Sequence, residues 1–146
     1  MASKVFFKRF IFAFLAGFIA VLVFHQGMLA VLYAVGFTAR APFPMQPTHP
    51  FGLPVIWSLA FWGGVWGLVF AAVDRLFPRG AGYWIWTLVF GALAPSLVAW
   101  FLVAALKGAP LGGGWKGSVM ITGLLVNGAW GLGTALLLRA FSRSPK

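Results

Sequence analysis

The chain has 146 residues, 62% of them apolar and 8% charged, with 11 Lys and Arg against a single acid, Asp74, and no cysteine. Soluble domains carry about 25% charged residues, so a water-soluble globule is not expected; the composition also excludes a disulfide frame, a thiolate metal site and paired-acid catalysis. The net charge of +10 would suit phosphate binding, but the cations sit at chain ends and between apolar runs, as at membrane borders, so no nucleic-acid partner is expected.

A spanning helix needs about 20 mostly apolar residues. Four segments meet this, at residues 10–37, 53–77, 83–106 and 118–141, and they predict an all-α integral membrane protein with one four-helix domain over residues 1–146. Basic residues before the first run, with Ala39, Arg40 and Ala41 after it, have the outline of a cleavable signal. The run is far longer than the 7–15 apolar residues of such a signal, however, and at about 1.5 Å per residue it would extend about 42 Å, so it is expected to stay as a span. Residues 38–52 hold Pro42, Pro44, Pro47 and Pro50, which lack amide hydrogens and cannot propagate a helix. Residues 78–82 form a short Pro/Gly turn, and residues 107–117 a Gly-rich connection.

Lys and Arg beside spans are retained in the cytoplasm. Lys4, Lys8, Arg9, Arg75, Arg79, Arg139, Arg143 and Lys146 fall at one end of the predicted hairpins, and only Arg40, Lys107 and Lys116 at the other. Both termini are therefore predicted cytoplasmic, in a multi-pass protein of the bacterial inner membrane. Trp57, Trp84, Trp86 and Trp115 lie near span ends, where indoles favour the interface. Trp62, Trp66, Trp100 and Trp130 lie deeper.

The sequence also repeats. At an offset of 64, Gly64, Trp66, Gly67, Leu68, Ala71, Arg75, Phe77 and Arg79 fall on identical residues from Gly128 to Arg143. At an offset of 74 the first and third spans align more weakly, through Gly17/Gly91, Ala20/Ala94, Ala30/Ala104 and Leu32/Leu106. The expected design is two tandem helical hairpins, about 10–79 and 84–143, as parallel repeats. Small residues at i, i+4 spacing let helix backbones approach in lipid. Gly63, Gly67 and Ala71 form such a stripe on the second span, the offset maps it onto Asn127, Gly131 and Ala135, and the first span has its own in Ala13, Gly17, Ala20 and Gly27.

Polar residues inside a span are candidate functional sites. His25 and Gln26 lie mid-span, and on an ideal α-helix both point away from the small stripe. They are thus expected to meet a partner protein or second copy, with bonding inside the chain or a ligand or proton role for His25 as alternatives. A haem on His25 would need its second ligand from another chain, since His49, the other histidine, is in a loop; no cofactor or metal is predicted. Asn127 is expected to hydrogen-bond across helices. Asp74 is expected in an ion pair at the cytoplasmic end with Arg75 or Arg139.

No hydroxyl is set beside a base and an orienting acid, so no catalytic residue and no enzyme is expected. The small multidrug resistance transporters have a similar size but depend on a carboxylate in the first span, which is absent here. The expectation is an accessory or structural subunit that packs, within membrane lipid, against another integral membrane protein or a second copy. A small oligomeric transporter or channel using His25 is the alternative.

Overall fold

The computed structural model describes residues 1–143, and these are all-helical with no strand. Four helices are long and apolar enough to cross a membrane: α1 (Ala2–Ala34), α2 (Val55–Leu76), α3 (Ala81–Leu106) and α4 (Gly117–Arg143). α1 begins well before its apolar run because Lys4, Lys8 and Arg9 are charged yet good helix formers, and nothing before them breaks the helix. It ends where Gly36 turns to a φ of +75° and the amides of Phe37 and Thr38 fold back onto the Leu32 carbonyl.

α1 lies between α2 and α4, and α3 packs on α4. The centre is built largely from small residues, including Ala13, Ala16, Ala20, Ala60, Ala71 and Ala135, around the fully buried ring of Phe70. With no hydrophobic force acting between helices in hydrocarbon, such close steric fit supplies the association. α2 and α3 are neighbours in sequence but meet mainly through rings: Phe90 lies 5.9 Å from Phe70 and 6.3 Å from Trp66.

Two helices are interrupted by π-helical turns, Val21–His25 in α1 and Val98–Val103 in α3. A π turn carries one extra residue and so rotates the helix face beyond it by about 100°. In α1 the buried positions are Ala13, Ala16, Gly17, Ala20 and Val21 up to the bulge, then His25, Gln26, Leu29 and Leu32.

The Pro-rich loop is folded. Amides of Val55 and Ile56, which open α2, donate to the carbonyls of Gln46 and Pro44, so backbone rather than a side chain caps this helix. Thr48 donates from both amide and hydroxyl to the Leu53 carbonyl, and Pro47 and Pro54 form an antiparallel bridge. In the other long connection, Gly112, Gly113, Gly114 and Trp115 all have φ between 57° and 71°. A left-handed turn of this kind is accessible because three of its four residues lack a Cβ.

Candidate functional site

The closest helix contacts use the small residues that the sequence singles out. A Cβ on Gly17 would overlap the Gly63 carbonyl oxygen and come within 3.0 Å of the Gly67 Cα. One on Gly91 would lie 2.7 Å from both the Asn127 carbonyl oxygen and the Gly131 Cα. The stripe on α2 therefore faces α1 and that on α4 faces α3; the two stripes do not pack on each other. Ala71 and Ala135 are buried further along the same helices. Gly27, which the ideal-helix periodicity puts on the α1 stripe, has open space around it, because it lies beyond the π turn.

The same turn redirects His25 and Gln26. Instead of pointing outwards to a partner, Gln26 is completely buried and His25 is 9% exposed. Gln26 spends both ends of its amide inside the chain. Its Oε1 accepts the Phe43 amide at 2.6 Å, and its Nε2 is 3.0 Å from His25 Nδ1. Phe43 has a φ of +53°, so Gln26 anchors the loop where its backbone is left-handed. Gln26→Leu is expected to remove about 1 kcal/mol of local protection, read as roughly fivefold faster hydrogen exchange at the Phe43 amide.

A second polar centre joins three helices near the end of the bundle that carries the chain termini. Asp74 is 8% exposed. Its Oδ1 accepts from Arg9 Nη2, which also donates to the Ala71 carbonyl at 3.3 Å, and its Oδ2 accepts from the Tyr83 hydroxyl at 3.3 Å. Asp74 thus pairs with Arg9 of α1, not with Arg75 or Arg139. Arg75 is exposed, and the Arg139 guanidinium lies over the rings of Tyr83 and Trp84, at 3.9 and 4.8 Å from their centroids. Nothing in the local sequence signals the Arg9 pairing, since 65 residues separate it from Asp74.

Several other polar side chains of the helices also bond within the chain. Asn127 donates to the Ser96 hydroxyl at 2.9 Å, linking α4 to α3. Trp130 sends its indole N–H to the Gly17 carbonyl at 3.0 Å, linking α4 to α1. Thr87, Thr122 and Ser142 bond carbonyls three or four residues earlier, the common use of hydroxyls in membrane helices. Among the described residues no group of three or more His, Asp or Glu is placed to hold a metal.

Aromatic rings do turn outwards. Trp57, Phe18, Phe14, Phe61 and Trp62 form a continuous ladder over the outer face of α1 and α2, with successive centroids 5.6–6.3 Å apart. Trp57, Phe61 and Trp62 are each about half exposed, Trp62 the most at 58%. Compared with known proteins, the chain matches no family, no curated protein and no solved structure.

Proposed function

We propose that the chain is a non-catalytic subunit of the bacterial inner membrane, with both termini cytoplasmic, that works by packing against another integral membrane protein. The aromatic ladder on α1 and α2 carries this reading. Trp62 lies seven residues into α2, about 10 Å along the helix, with an outward ring. An indole N–H seeks an acceptor, and hydrocarbon offers none; a partner helix does. His25 and Gln26 have no part in this contact, since Gln26 accepts from the loop at Phe43 and its other end meets His25.

The scaffold behind the ladder is best understood as a duplicated hairpin, with α1 and α2 equivalent to α3 and α4. Several contacts recur at offsets of 74 and 64 and support this. Gly17 against Gly67 becomes Gly91 against Gly131, and the Phe14 ring beside Gly64 becomes the Leu88 side chain beside Gly128. The Phe12–Phe141 ring pair, at 5.9 Å, becomes Trp86–Phe77, at 6.2 Å. The last exchange relates α1 with α4 to α3 with α2, as a two-fold axis along the bundle requires. Two features depart from that symmetry: α1 packs closely on α4 whereas α3 meets α2 mainly through rings, and the ladder has no counterpart, because Phe18, Trp57 and Phe61 correspond to Ala92, Ile121 and Leu125. One half is thereby left to support the fold while the other is free to specialise in contact.

Photocrosslinking in intact membranes tests the contact. A photoreactive residue at Trp62 is expected to give a discrete protein adduct, while one at Leu102, exposed on α3, gives lipid adducts. Lipid adducts alone at both positions would overturn the reading.

A further inference from the structure

We infer that the apolar groove along α3 below Phe77 binds an anionic diacyl phospholipid, with an acyl chain against α3 and the phosphate on Arg75 and Arg79. The groove has a volume of about 250 Å³ and is wholly apolar, closed by Phe77 and lined on α3 by Trp86, Val89, Phe90, Leu93, Ala94 and Leu97. This lining runs over 12 residues, from Trp86 to Leu97, or about 16 Å from first to last at the α-helical rise. That is close to half of a hydrocarbon core about 30 Å thick, the depth of one leaflet. The groove therefore has the length of an acyl chain that starts at this end of the bundle.

Charge selects the headgroup. Phe77 closes the groove at the turn between α2 and α3, and Arg75 and Arg79, two residues to either side of it, are both exposed. The sole carboxylate side chain in the protein, Asp74, is already bonded to Arg9. Arg75 and Arg79 thus have no acidic side chain to neutralise them. Two such cations beside an apolar groove that begins at Phe77 match the chemistry of a lipid phosphate, and guanidinium groups suit it through paired N–H donors.

Native mass spectrometry of the full chain in mild detergent, with phosphatidylglycerol and phosphatidylcholine of identical acyl chains, tests the assignment. Phosphatidylglycerol is expected to be retained in preference. Each arginine should contribute about fivefold, so Arg75→Gln with Arg79→Gln should lower that preference roughly 25-fold, whereas Lys at both positions preserves it. Ala94→Trp, which fills the groove floor, should expel both lipids. Equal retention of the two lipids by the unaltered protein would overturn the inference. So would a preference that survives the double Gln variant, or displacement of the lipid by millimolar inorganic phosphate. A dimer that Ala94→Trp dissociates would assign the groove to a second copy instead.

Discussion

Asp74→Ala is expected to destabilise the bundle by about 3–5 kcal/mol, the cost of leaving one member of a buried ion pair uncompensated, as read from reversible unfolding of the purified protein in mixed detergents. Arg9, Asp74 and Tyr83 come from three different helices and share one carboxylate, so removing it strands the guanidinium and frees the phenol together. The cost is one of orphaned groups rather than of a valuable attraction. Replacing both partners by apolar residues, Arg9→Met with Asp74→Leu, should therefore recover most of the loss. Leucine already occupies the position related to Asp74 by the offset of 64, at Leu138, where it is buried. If Asp74→Ala costs less than about 1 kcal/mol, typical of exposed pairs, the cluster is not the junction described here.

Gly17→Ala is the second large effect. The new methyl would overlap the Gly63 carbonyl oxygen, a backbone atom that cannot move aside as a flexible side chain can. α1 and α2 would have to separate, at an expected cost of about 1–3 kcal/mol. Gly91→Ala should behave alike, because its Cβ meets the Asn127 carbonyl oxygen and the Gly131 Cα, both also backbone. Gly27→Ala is the internal control. It lies on the same helix with open space around it, so alanine should be neutral or stabilise by up to about 1 kcal/mol. Equal responses at Gly17 and Gly27 in the same unfolding assay would contradict the described approach of α1 to α2.

Much of this architecture is legible in the sequence because lipid imposes simple rules. Long apolar runs must be helices, and Pro or Gly clusters must separate them, so four helices emerge close to where hydropathy puts them. Close packing at Gly17, Gly67, Gly91 and Gly131 is likewise visible, since small residues at helical spacing have few other uses in a bilayer. The orientation of His25 and Gln26 is not legible. It depends on the π turn at Val21–His25, which no residue in VLVFH announces, and an ideal wheel carried through that turn puts both side chains on the wrong face. The fold of the Pro-rich loop is hidden for a related reason: its organising bond runs from the Phe43 amide to Gln26, a side chain 17 residues earlier. The Arg9–Asp74 pair depends on which helices become neighbours, and local sequence favours the nearer Arg75 as a partner.

His25 shows how that one turn alters the functional outlook. On an unbroken helix it would be a titratable group facing a partner, a pore or a haem. In the folded chain it sits against Gln26 behind the loop, and neither the groove along α3 nor the shallow cavity at the start of α1 includes it. The outward chemistry lies instead in rings at one end of the bundle and in arginines at the other.

The native mass of the tagged protein, taken from its own membrane in mild detergent, is the most direct test of a role based on contact. The expected result is a reproducible complex heavier than the 15.7 kDa chain, held with a defined integral membrane protein and lost in Trp57→Ala with Trp62→Ala while the unfolding transition is unchanged. A lone monomer, or a homo-oligomer whose reconstituted flux is abolished by His25→Ala, would contradict it.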